Sequence, residues 1–244
     1  NLQDHLQIRT VFKIKNAVTL NQKVNSLFGK MAMGIEYALF RSGPLSMAPS
    51  QMGLFAKSDP RIKTPDLEFH IQPLSTDKLG DPLHPFPAIT ASVCNLRPDS
   101  RGSIHIKTPD AKVHPAIVPN YLSTQTDKDV AAKSIRLTRK IMATNAVAQF
   151  EPEEILPGTQ IASDEDLVRE AGNIATTIFH PIGTCKMGSD TMAVVDDRLR
   201  VHGIQGLRIV DASIMPTITS GNTNSPVIMI AEKAAVMIKE DLKA

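Results

Sequence analysis

The sequence predicts an α+β protein, an antiparallel sheet flanked by helices, followed by a closing segment that finishes the core of another domain. Three observations predict it. Residues 66–72 alternate Leu67, Phe69 and Ile71 with Glu68, His70 and Gln72, the period of two of a half-buried strand. Residues 22–40 and 127–148 instead repeat apolar side chains at helical spacing. From about residue 176 the texture changes to glycine-rich turns and one last helix, a stretch too short to bury a core by itself.

Taken in chain order, the first helix carries Val24, Leu27, Phe28, Met31, Ile35 and Leu39 and stops at Gly43-Pro44. Residues 45–61, rich in Pro, Ser, Met and Gly, form a loop with one short strand at 53–56. Residues 76–87 mix Pro and Gly with charges and read as a long surface loop. Strands follow at 88–96 and at 102–108, the latter with Ile104 and Ile106 on one face. Residues 115–121 are extended, and their prolines favour a sheet edge. The helix at 127–148 buries Val130, Ile135, Leu137, Ile141 and Met142. Another opens at Ser163, with Asp164, Glu165 and Asp166 in the first turn, where the helix dipole favours acids. A strand at 207–210 precedes the final helix, 226–243. Ser225 is its N-cap candidate and Pro226 its first helical residue, and its nearly all-round apolar character predicts burial.

Composition narrows the function classes. A hydrophobic fraction of 42% with 21% charged residues describes an ordinary globular chain. A net charge of +2 provides no field to recruit nucleic acid. No apolar run is long enough to span a membrane. The two cysteines, Cys94 and Cys185, fit a reducing, cytoplasmic setting. The chain opens Asn1-Leu2-Gln3-Asp4-His5 without an initiator methionine, as a processed chain or a piece of a longer one would.

Three segments carry candidate chemistry. In His180-Pro181-Ile182-Gly183-Thr184-Cys185-Lys186-Met187-Gly188, Pro181 forces His180 out of helical conformation. A histidine at such a corner suits general acid/base work, and equally suits a structural turn. Paired with Cys185 it also suggests a zinc-dependent hydrolase, although no second close pair completes a ligand set. In Asn222-Thr223-Asn224-Ser225-Pro226, two asparagines precede a helix N-terminus whose free N–H groups either receive a cap or face an anion. In Leu207 to Ser213, Asp211-Ala212 ends the strand, either at a ribose or ribityl contact or in an Asx-turn.

Together and in this order, these segments resemble the glucose–methanol–choline (GMC) oxidoreductases, FAD-dependent alcohol oxidases and dehydrogenases, in their choline-dehydrogenase-like branch. The matching phrases are Asn1 to His5, Arg97-Pro98-Asp99-Ser100-Arg101-Gly102, His180 to Gly188, Val195-Asp196 with Leu199-Arg200-Val201, Asp211-Ala212-Ser213, and Asn222 to Lys233. The resemblance covers essentially the whole chain. It implies His180 as catalytic acid/base beside the flavin, and Asn222 as the second active-site residue. It implies Asp211 and Ala212 at the ribityl–pyrophosphate region, and the helix start at Thr223, Asn224, Ser225 and Pro226 beside the flavin ring.

The implied organisation is residues 1–8 as the end of a flavin-domain segment and 9–175 as a substrate-binding domain. Residues 176–244 return to complete an FAD-binding α/β domain. The family's GxGxxG dinucleotide fingerprint is absent from this sequence. The missing N-terminal half is therefore a required partner, and the chain alone is expected neither to retain FAD nor to turn over an alcohol. Eight Phe, two Tyr and no Trp leave little for an aromatic cage around choline's quaternary ammonium. The substrate expected is a small-molecule alcohol, aliphatic and primary, or an aldehyde hydrate. The electron acceptor is left open, a membrane quinone reached by peripheral docking included. A non-catalytic fragment that binds a partner is the competing reading. His5, His70, His84, His105, His114 and His202 read as structural, with His5 set apart because its phrase lies near the flavin in the family.

Overall fold

The computed structural model describes residues 1–78 and 80–243. Its strands and helices are β1 (Leu6–Lys13), α1 (Leu20–Asn25), α2 (Leu27–Phe40), β2 (Met52–Ala56), β3 (Leu67–Gln72), β4 (Ala88–Asn95), β5 (Ser103–His105), β6 (Ala116–Val118), α3 (Gln125–Met142), α4 (Asn145–Ala148), β7 (Glu153–Leu156), α5 (Asp164–Ile174), β8 (Ala175–Thr177) and α6 (Asn224–Asp241). This is the α+β class predicted. One sheet runs β2-β3-β4-β1-β7 with β8 also on β1, and β5-β6 form a separate ribbon. The β1–β4 and β2–β3 pairs are antiparallel, with Gln7 opposite Cys94 and Met52 opposite Ile71.

The contacts divide the chain into two compact units. One comprises Gln7–Cys94 and Asp129–Thr176; the other comprises Asn1–Leu6, Asn95–Lys128 and Thr177–Ala244. In the first, Phe12, Ala91 and Met142 form a buried cluster with Ile71, Ile89, Ile141 and Val147 against it. Arg139 forks onto both carboxylate oxygens of Glu154 at 2.8 Å and also donates to the carbonyls of Ile161 and Gly158. In the second, Ile182, Val195, Leu199, Ile214, Met215, Ile218, Ile230 and Ala234 form the core. Arg198 binds Asp241 at 2.7 Å and Arg208 binds the same carboxylate, which ties the end of α6 to the loop before it.

Several local expectations are corrected. The helix predicted over 22–40 is two helices, because Ser26 is an N-cap whose side chain accepts from the Gly29 N–H. The apolar stripe of α2 is largely exposed, Phe28 at 83% and Leu39 at 68%, with Met33 buried instead. β3 is buried on both faces, Glu68 at 4%, so its alternation does not mark a solvent side. The long helix ends at Met142, after which Asn145–Ala148 form a separate turn. Within α3, Val130 and Leu137 are half-buried while Ala131, Ala132, Ser134 and Thr138 are buried. No strand covers 207–210 among the described residues; only the Arg200–Arg208 bridge is present there. The last helix starts at Asn224 with Thr223 as N-cap, and only Ile230 and Ala234 are buried along it. Its outer apolar side chains are exposed, Met229 at 60% and Val236 at 52%.

Candidate active site

The site is built inside the second unit, where the opening phrase is threaded through the later ones. Gln3 and Ile182 exchange backbone hydrogen bonds of 3.1 and 2.8 Å, and the Gln3 Oε1 accepts from the Ile218 N–H at 3.0 Å. Asn1 Nδ2 donates to the carbonyls of Gly183 and Pro216. Gly183 has a φ of +85°, and a Cβ there would lie 2.4 Å from the Asn1 carbonyl oxygen, so the glycine is required by both conformation and space. The Cys185 and Met187 N–H groups donate to the carbonyls of Ser213 and Ile214, which brings the Asp211 segment alongside.

His180 follows Phe179, whose φ of +64° is in the left-handed region that a bulky residue rarely adopts. Two hydrogen bonds hold this turn. The Phe179 N–H donates to Thr177 Oγ1 at 2.9 Å, and the His180 N–H donates to Asp4 Oδ1 at 2.9 Å. The other oxygen of Asp4 accepts from the Tyr121 and Thr177 hydroxyls, each at 2.5 Å. Burial and then the Asp4 carboxylate push the Tyr121 phenol well above its ordinary range. Asp4 is thus the node that holds the His180 N–H and the Thr177 side chain at the turn leading into His180.

The His180 ring is 8% exposed and approached from both edges. Its Nδ1 lies 3.0 Å from His5 Nδ1, with the rings nearly perpendicular at 82°, and its Nε2 lies 3.4 Å from Asn222 Nδ2. The fully buried His5 in turn holds its Nε2 3.1 Å from the Leu96 carbonyl. His180 and Asn222, predicted as a pair from residues far apart in sequence, are therefore brought together. The sequence places His5 among the structural histidines, set apart only because its phrase lies near the flavin in the family, and gives it no role. The family phrase is the one signal for it; its contacts with His180 and Leu96, 175 and 91 positions away, leave no local mark in the sequence.

The remaining predicted residues lie in the same unit. Asp211 caps a 3-10 turn, Ala212–Ile214, accepting from the Ser213 N–H at 2.7 Å and from its hydroxyl. Thr223 is 7% exposed, while Asn224 and Ser225 are exposed and Pro226 is half-buried at the start of α6. No side chain caps that helix end. The nearby Thr219 Oγ1 is buried without a hydrogen-bond partner. An uncapped N-terminus beside an orphaned hydroxyl and an exposed amide fits a polar, electron-rich ring edge such as that of a flavin. For the zinc reading, the one cluster of three metal-ligand side chains among the described residues is Glu68, His70 and Cys94, which includes neither His180 nor Cys185.

Comparison with known proteins defines the class. The GMC oxidoreductase family model matches residues 98–231. The oxygen-dependent choline dehydrogenase of Proteus mirabilis (strain HI4320) is 40% identical over 239 residues, covering 98% of this chain and 43% of its own length. That of Pseudomonas fluorescens (strain Pf0-1) is 38% identical with 98% and 42% coverage. Among solved structures, a pyridoxine 4-oxidase aligns with a TM-score of 0.79 at 27% identity, over 98% of this chain and 43% of its own. Aspergillus oryzae formate oxidase aligns with a TM-score of 0.90 at 24% identity over 100% of this chain and 47% of its own, a likeness of fold.

The chain belongs to the GMC oxidoreductase family, whose enzymes are FAD-dependent. It spans about 43% of the length of the curated relatives it matches. Among the described residues no helix is long and apolar enough to cross a membrane.

Proposed function

We propose that, within a flavin-loaded protein of the relatives' length, this chain supplies the catalytic base His180, the orienting Asn222 and the substrate side of an enzyme that oxidises a primary alcohol to an aldehyde. The observation that carries this reading is the buried His180, with its Nε2 edge 3.4 Å from the Asn222 amide. Bound FAD would supply the two-electron acceptor for the hydride that leaves the alcohol carbon. His180 Nε2 takes the hydroxyl proton, which raises the tendency of that carbon to release hydride. The Asn222 amide N–H donates to the alcohol oxygen and orients it without competing for the proton. Thr223, Asn224, Ser225 and Pro226 would hold the ring through the N-terminus of α6, where a partial positive charge favours negative charge. Asp211 and Ala212 would hold the ribityl–pyrophosphate part.

In this reading residues 9–175 form the substrate domain and 176–244 the flavin-side segment. The outward apolar faces of α2 and α6 suit cover by the rest of a longer chain. Without a GxGxxG phrase the chain alone does not keep FAD. The relatives' names make choline the first alcohol to test, whereas the low aromatic content favours an uncharged aliphatic alcohol. The test is anaerobic mixing of the flavin-loaded, relative-length protein with a panel of primary alcohols including choline. Bleaching of the flavin with stoichiometric aldehyde is expected, and no bleaching by any of them overturns the proposal.

A further inference from the structure

The two histidines in contact make a directional hydrogen-bond chain, and its direction follows from its ends. The Leu96 carbonyl can only accept, so the His5 Nε2, 3.1 Å away, carries a proton and donates. A neutral His5 protonated at Nε2 presents a bare lone pair at Nδ1. The His180 Nδ1, 3.0 Å away, must then be the donor. With its proton committed there, neutral His180 has its lone pair on Nε2, the edge facing the Asn222 amide, whose Nδ2 can only donate. Every link is satisfied by this one arrangement. The reverse tautomer of His180 would set two bare lone pairs against each other at Nδ1, and two N–H groups against each other at the Asn222 edge.

We infer that His5 is the positioning residue that selects the Nδ1–H tautomer of His180 and shares the proton His180 collects. This rests on the proposed role of His180. When Nε2 takes the proton of the alcohol, His180 carries one at each nitrogen. Its Nδ1 proton then has a path to His5 Nδ1, and the pair has gained one proton and one positive charge wherever that proton rests. The pair holds at most one such charge. Two imidazolium rings would point two N–H groups at each other across 3.0 Å with no acceptor between them. His5 therefore gives the base its orientation and a second place for its charge, in a site where the Asp4 carboxylate also holds the His180 backbone N–H.

The test uses the chain labelled with 15N-histidine, the His180 signals being assigned by their loss in His180→Gln. In neutral His180 the Nδ1 is expected to be protonated and Nε2 bare. His5→Leu should let that population fall at least several-fold, and His5→Gln should restore it, because a glutamine amide can accept from His180 while donating to Leu96. In the flavin-loaded, relative-length enzyme, His5→Leu should slow flavin reduction on the order of 10²-fold, the loss expected of a misoriented base. His5→Gln should recover most of that rate while displacing the acid limb of the pH profile, since an amide cannot share the proton. His180 found with Nε2–H in the unmodified chain, or tautomer populations unmoved by His5→Leu, would overturn the inference. A tautomer that responds as described while His180→Ala leaves flavin reduction unchanged would instead refute the proposed function and leave the orienting contact standing.

Discussion

Replacing Gly183 by alanine tests whether the opening phrase is pinned against the histidine phrase as described. The residue has a φ of +85°, which costs an alanine roughly 1–2 kcal/mol. The new Cβ would also lie 2.4 Å from the Asn1 carbonyl oxygen, 2.9 Å from Asn1 Nδ2 and 3.3 Å from the Met215 carbonyl oxygen. Backbone oxygens cannot rotate aside, so the Asn1 segment must retreat by about 1 Å to reach ordinary contact. That retreat strains the Asn1 to Gly183 bond and the Gln3–Ile182 pair, and losing one such bond costs about 1 kcal/mol. The sum is about 2–4 kcal/mol. With a urea dependence of about 3 kcal/mol/M, the unfolding midpoint should fall by about 1 M. Gly34→Ala in α2 is the control, because nothing lies within 4 Å of its added Cβ. There the helix should gain roughly 0.5–1 kcal/mol. Equal midpoints for the two variants would refute the placement of Asn1 against Gly183.

Three further outcomes follow from the same geometry. Because the folded phenol of Tyr121 is held above its unfolded value, the protein should lose stability as pH rises past about 10. Tyr121→Phe, weaker at neutral pH through the lost bond to Asp4, should lack that alkaline decline; urea midpoints at pH 7 and 11 should therefore converge. Arg139→Ala strands the Glu154 carboxylate, 4% exposed, and should cost about 3–5 kcal/mol in thermal unfolding, with Arg139→Lys in between. Asn222→Ala, at an exposed position, should leave the melting temperature in place while lowering the rate of flavin reduction by about 10–100-fold in the loaded enzyme.

The residues explain what was legible in the sequence. Strands β3 and β4 and helix α5 announced themselves because their signals are local: alternation in Leu67 to Gln72, and Ser163 with three acids behind it. The central strand β1 has alternation too, in Leu6, Ile8, Thr10 and Phe12, but its other face buries Gln7 and Arg9 and so resembles a solvated edge. Burial of polar side chains depends on partners far along the chain, and no local period reports it. The same reason separates the site residues. His180 is marked by the proline after it and Asn222 by the helix that follows, whereas His5 gains its role only from a ring 175 positions away. The expectation that α6 is buried came from its composition, which reports that a face is apolar and not what covers it.

His180 is the group proposed to take the alcohol's proton. The most direct measurement is the single-turnover, anaerobic rate of flavin reduction by a saturating primary alcohol in the loaded, relative-length enzyme, compared with His180→Ala. Retained FAD and an unchanged melting temperature would establish that the variant is folded. The rate is predicted to fall by about 10²–10⁴-fold, the contribution expected of a positioned acid/base. Reduction at the unmodified rate would contradict the account.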